Sequence, residues 1–195
     1  MIDVAFRLQA PKRRTPIAIL DSYREYRNDL MEDYLNRCGY CNSIDKCRNT
    51  WFEIDHFVPQ KYLVTIKAND YNNLVYACRS CNNAKRAKWP TENELIPNKD
   101  NKGFIDPCDE EYDKQFKRTF EGRIIPTTDL GTWMYNALKL YKPQHEIIYN
   151  IDVLDKLIDE IEKELEVNPE KKVKDNLLEV YREFRKYVNK LSSAK

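Results

Sequence analysis

Apolar residues change period several times along this chain, and each change marks an element. Between Ile17 and Asn36, residues Leu20, Tyr23, Leu30, Tyr34 and Leu35 recur mostly at helical spacing, with Tyr26 and Met31 beside them. That pattern predicts an amphipathic helix running into Cys38. Thr50 to Ile54 is β-branched and aromatic, which predicts a short strand that delivers Asp55 and His56 at its end. Pro59 stops it. After a polar loop, Leu74 to Ala77 reads as a second strand, and Cys78 to Trp89 as a short helix ending before Pro90.

The second half is patterned more loosely at first. Thr91 to Gly103 is polar and reads as a loop, while Phe104 to Pro107 and the Phe116 to Ile125 run, with Gly122 in a turn, suggest a small β excursion. Thr132 to Leu140 reads as a helix. Ile147, Ile148, Ile151, Leu154, Leu157, Ile158, Ile161 and Leu165 then form an apolar stripe at helical spacing. Asn168 with Pro169 signals the start of another helix, carrying Leu177, Leu178, Tyr181, Phe184, Tyr187, Val188 and Leu191. The expected fold class is therefore α+β. A small strand–strand–helix core has an N-terminal helix before it and a C-terminal helical hairpin after it. The expected divisions are 1–36 (arm and helix), 37–90 (core), 91–142 (loop-rich extension) and 143–195 (hairpin).

Composition sharpens this. The chain has 195 residues, enough for one compact domain with appendages or two small ones. No apolar run approaches the length of a membrane span, and the opening residues lack the apolar stretch of an export signal. The expected location is the cytoplasm. A formal net charge of +1 is small for a nucleic-acid binder, which suggests that a second subunit or dimerisation supplies part of any such affinity. Basic residues are local instead. Lys12-Arg13-Arg14 and Arg182 to Lys190 read as solvated surface charge, whereas Lys85-Arg86-Lys88 sits beside the candidate chemistry.

Six cysteines could form three disulfides in an exported protein, but four of them fall into Cys38/Cys41 and Cys78/Cys81. CxxC taken twice is the ligand set of a closed, structural tetrahedral zinc, and Gly39 is expected to provide the tight turn of the first pair. Such a staple would hold together a core too small to stand on burial alone. Cys47 and Cys108 are left over, with Cys47 a local alternative ligand. Asp55, His56 and Asn82 offer different chemistry. An imidazole titrating near neutrality can take a proton from water, and the carboxylate and carboxamide offer oxygen donors suited to Mg²⁺ or Mn²⁺. His145, the second of two histidines, is expected at the surface or at a cap.

The Cys38/Cys41 pair, Ile54-Asp55-His56-Phe57-Val58-Pro59, Asn73-Leu74 and Cys78-Arg79-Ser80-Cys81-Asn82-Asn83-Ala84-Lys85 together resemble an HNH endonuclease of the zinc-bearing ββα-metal type. The resemblance implies His56 as general base, Asp55 and Asn82 as ligands of a catalytic Mg²⁺ or Mn²⁺, and Asn73 as the brace of the loop that positions His56. Asn82 stands where the family often has histidine. Lys85 and Arg79 are candidate phosphate contacts. Two functions follow as expectations: a DNA endonuclease acting in a bacterial anti-phage defence or restriction system, with an ATPase or other defence subunit, or a second copy of the chain, as partner; or a non-catalytic zinc module that binds DNA or a protein.

Overall fold

The computed structural model describes residues 4–46 and 51–193, so the alternative-ligand reading of Cys47 lies outside the described residues. The fold is α+β, as the alternating periods predict. Strand β1 (Val4–Ala5) opens the chain, and helix α1 (Arg27–Asp33) follows. Strands β2 (Phe52–His56) and β3 (Leu74–Cys78) pair antiparallel, with Asp55 opposite Val75 and His56 opposite Leu74. Helix α2 (Arg79–Lys85) leaves β3 without a linker. All five residues of β3 are buried because α1 packs against the strand on one side and α2 follows closely on the hairpin. A strand covered in this way reads as a continuous apolar run rather than an alternation.

The helix expected over 17–36 is much shorter. Residues 17–22 stay non-helical because the Tyr26 hydroxyl accepts from Leu20 N (2.8 Å) and donates to the Ala18 carbonyl (3.0 Å). Ser22 then caps a 3₁₀ turn, Tyr23–Tyr26, that leads into α1. At the other end Leu35 and Asn36 are left-handed, at φ of 57° and 56°, which no helix continues through. Likewise α2 stops at Lys85 rather than Trp89, because Arg86 has φ of 46°.

Two of the three basic residues of the arm, Arg13 and Arg14, are engaged by the body, while Lys12 is exposed. Arg13 donates to the Leu74 carbonyl (3.0 Å) and pairs with Asp106 (2.9 Å). Arg14 reaches Asp29, Glu32 and Asp33, fastening the arm to α1. Gly39 also plays a different part from the one expected. A Cβ there would lie 2.7 Å from Tyr34 Cε1 and 3.0 Å from Val75 Cγ1, so glycine permits close packing, and Asn42 takes the left-handed turn position at φ of 59°.

Within the loop expected over 91–103, β4 (Asn98–Lys99) and β5 (Lys102–Gly103) form a hairpin around Asp100 and Asn101, both at positive φ. Phe104 to Pro107 is not a strand. Strands β6 (Phe116–Arg118) and β7 (Ile124–Pro126) form the second hairpin, with Gly122 in its turn, and β1 joins its edge beside β6. Thr128 caps α3 (Asp129–Ala137), which starts earlier than expected. One buried cluster runs from Phe6 to Leu140 and is rich in aromatic rings, with Trp89 edge-on to Phe57 and stacked on Phe104.

Helices α4 (Pro143–Val167) and α5 (Lys171–Ser193) form the expected hairpin. Asn168 closes α4 instead of opening α5, giving its N–H to the Glu164 carbonyl (2.7 Å). The first half of α4 is docked on the body through His145, Ile147, Ile148, Ile151 and Asp152; beyond it burial falls away, and in α5 Val173 is buried. No helix among the described residues is long and apolar enough to cross a membrane.

Candidate active site and metal centre

The four paired cysteines converge. Their Sγ atoms all lie within 4.8 Å of one another, every one is buried, and none is in a disulfide. Cys41 and Cys78 Sγ are 3.8 Å apart, against about 3.8 Å for the edge of a tetrahedron with Zn–S bonds near 2.3 Å. The first pair is shaped by Cys38 N–H on the Ser43 carbonyl and Asn42 N–H on the Cys38 carbonyl. Cys78 occupies the N-cap of α2 and Cys81 its first turn. Burial opposes ionisation of Cys41, yet hydrogen bonds from Cys38, Cys78 and Cys81 outweigh it and hold that thiol well below its usual range. Hydrogen bonding with Cys38 and Cys41 pushes Cys78 and Cys81 well above theirs. Sulfurs this close repel one another as thiolates, and a divalent cation among them removes that penalty. The donor set therefore fits a structural metal such as zinc. Cys108 stands apart, with Sγ 3.3 Å from the Tyr34 hydroxyl and its thiol pushed up by burial.

The Asp55-His56 pair lies at the end of β2, where neighbouring side chains leave on opposite faces. Asp55 Oδ2 accepts from the Tyr40 hydroxyl at 2.6 Å and meets Lys85 Nζ at 2.9 Å. Lys85 Nζ also donates to the His56 carbonyl (2.8 Å) and sits over the Phe104 ring. It is 0% exposed, so this lysine is an internal partner of Asp55 and not a group on the helix surface awaiting phosphate.

His56 faces the loop between the strands. Its Nε2 is 2.8 Å from the Ala68 carbonyl and 3.2 Å from the Gln60 amide, and Tyr23 packs edge-on against the ring. A carbonyl can only accept, so in the neutral ring Nε2 carries the proton and Nδ1 the lone pair. The Gln60 side chain must then turn its oxygen toward Nε2. Asn73 clamps the chain just after His56. Its Oδ1 accepts from Val58 N–H (2.8 Å), its Nδ2 donates to the Val58 carbonyl (3.1 Å), and its own carbonyl takes Phe57 N–H (2.8 Å).

Asn82 and Lys85, three residues apart on α2, present one helical face to β2. Lys85 engages Asp55, while Asn82 Nδ2 donates to Glu53 Oε2 at 2.7 Å. Glu53 is two residues before Asp55 and so shares its face of the strand. Arg79, 59% exposed, lies 3.7 Å from the other oxygen of Glu53. Asp55 and Asn82 thus lie on facing elements without a hydrogen bond between them. Asp55, Asn82 and Glu53 bear oxygens of the kind a hard divalent ion takes, with Asn82 Nδ2 given to Glu53 and Asp55 Oδ2 engaged by Tyr40 and Lys85.

Sequence reasoning missed Glu53, Tyr40 and Gln60. Strand alternation signals Glu53, since residues 53 and 55 share a face. Tyr40 carries no local signal, because only the fold brings the inside of the first CxxC pair against Asp55.

Residues 38–88 match the family model of the HNH endonuclease, a span that holds all four cysteines and Asp55, His56, Asn73, Asn82 and Lys85. No curated protein and no solved structure matches the chain.

Proposed function

Taking an HNH endonuclease domain over residues 38–88 as the premise, we propose that this chain is a metal-dependent endonuclease hydrolysing phosphodiester bonds in DNA. The observation that carries this reading is the Nε2 contact of His56 with the Ala68 carbonyl. It favours a neutral ring with the lone pair on Nδ1, which supports a role for that atom as the base that takes a proton from an attacking water. Asn73 holds the turn that follows His56. Asp55 and Asn82, with Glu53 bonded to Asn82, would hold Mg²⁺ or Mn²⁺. When bound, the cation supplies charge neutralisation at the phosphate and at the departing oxygen. Arg79 is the phosphate contact, and the four cysteines hold structural zinc.

Purified protein incubated with plasmid and Mg²⁺ or Mn²⁺, beside His56→Ala, tests this. The wild type should cleave and the variant should lose 10²-fold or more, the usual span for removing a general base being about 10²–10⁴. Equal cleavage by both would remove His56 from that role.

The same reading extends to a nuclease effector in bacterial defence or restriction, working with an ATPase or another subunit or as a homodimer. The small net charge and the exposed Leu178, Tyr181 and Val188 of α5 support a partner-borne enzyme. Co-purification of the native complex tests it, and a monomer fully active alone would argue against it. One observation favours the competing reading of a non-catalytic zinc module: Asp55 is already satisfied by Tyr40 and Lys85. That reading predicts no cleavage, and no Mg²⁺ or Mn²⁺ binding that depends on Asp55.

A further inference from the structure

His145 lies in the first turn of α4, is 1% exposed, and neither of its ring nitrogens has a hydrogen-bond partner. The surface or capping place expected for it is not the one it takes. A buried, unpartnered ring N–H is costly, so its surroundings should contain the acceptor it lacks here.

The helix face it belongs to is turned toward the cysteine knuckle. One turn on from His145, the Tyr149 ring stacks on Arg118 (4.4 Å), which donates to the Cys41 carbonyl at 2.8 Å. Two turns on, Asp152 pairs with Arg37, the residue before Cys38, at 2.7 Å. The nitrogens of His145 are not part of the four-sulfur group itself.

We propose that His145 completes the metal centre from outside, by donating a ring N–H to a thiolate of the Cys38/Cys41 pair once zinc is bound. A thiolate on zinc keeps negative charge on sulfur and accepts such a bond, which disperses the net charge of a four-thiolate site. The bond also ties the C-terminal hairpin to the metal, so that docking of α4 and retention of zinc reinforce each other. None of this depends on the nuclease reading.

The test follows zinc release from the full-length, zinc-loaded chain to a chromophoric chelator. His145→Phe keeps the ring volume without a donor and should release zinc about ten-fold faster, as loss of a partner behind a metal ligand commonly does. His145→Gln keeps an N–H and should release at close to the wild-type rate. Cobalt substituted for zinc should give the absorption of four thiolates in wild type and variants alike. Release from His145→Phe at the wild-type rate overturns the proposal. So does a wild-type cobalt spectrum with a nitrogen ligand, which would make His145 a ligand itself. If His145→Phe fails to fold, NMR of the wild type decides. The zinc-loaded chain should show a slowly exchanging imidazole N–H, assignable because the chain has two histidines and His56→Ala removes the other. Absence of that proton overturns the proposal.

Discussion

Lys85 Nζ sits 2.9 Å from Asp55 Oδ2, and both residues are buried. The ion pair joins α2 to the strand that carries the candidate base, and its cation belongs to the chain itself. Breaking a buried pair from one side leaves an uncompensated charge, at a cost of about 3–5 kcal/mol. Lys85→Met should therefore be strongly destabilised in denaturant unfolding of the zinc-loaded protein. Lys85→Met combined with Asp55→Asn should recover much of the loss. Equal losses in the single and double variants would mean that the pair is not its source.

Glu94 should give the protein an acid-sensitive limb. It accepts from the backbone N–H groups of Val64, Thr65 and Ile66 and from the Thr65 hydroxyl. These bonds, that from the Thr65 hydroxyl foremost, lower its pKa from 4.5 to about 2. A depressed carboxylate stabilises the fold fully above its unfolded pKa and loses that contribution as pH falls toward the folded one. Stability should thus fall between pH 4.5 and about 2, and Glu94→Gln should flatten the profile in that window. An unchanged slope in the variant would exclude Glu94. The effect bears on the site, because the loop Glu94 holds leads to Ala68, whose carbonyl fixes the ring of His56.

Removing the structural metal should unfold the core. Chelation leaves four buried sulfurs with no cation among them and frees the turn at Cys38–Cys41 from α2, so binding energy is lost as folding energy. Thermal unfolding followed by circular dichroism should lose cooperativity on chelation and regain it with added zinc, and Cys78→Ser should resemble the chelated wild type. An unchanged melting curve after complete metal removal would contradict this.

Asn73→Ala unpairs both the N–H and the carbonyl of Val58. An unsatisfied buried group costs about 1–3 kcal/mol, and this change leaves two. Asn73→Asp keeps the acceptor for Val58 N–H and loses the donor, so it should fall between wild type and Asn73→Ala. If plasmid cleavage is observed, the loss should appear in kcat more than in KM, since the clamp positions His56 without touching substrate. A large loss in KM alone would place Asn73 in substrate binding.

Much of the core could be read from the chain because its signals are local. CxxC spacing announces the sulfur cluster, and β-branched and aromatic runs announce β2 and β3. The helical stripe after Pro143 gives α4, and the β6–β7 hairpin follows from its apolar run and Gly122. What escaped depends on distant partners. The Tyr26 hydroxyl takes over the backbone groups of Ala18 and Leu20 and so shortens the first helix. Arg13 resembles any exposed basic residue until Asp106, far along the chain, comes beside it. Lys85 looks like surface charge until α2 is placed on β2. The Asp100-Asn101 turn was readable in principle, since both types tolerate positive φ.

The cysteine knuckle lends its backbone to later parts of the chain: Tyr112 donates to the Tyr40 carbonyl (2.7 Å) and Arg118 to that of Cys41. Arg7 and Arg13 of the arm likewise wait for Pro107 and Asp106. A growing polypeptide therefore presents all four sulfurs before Tyr112 and Arg118, which bond the turn that carries two of them, have been made.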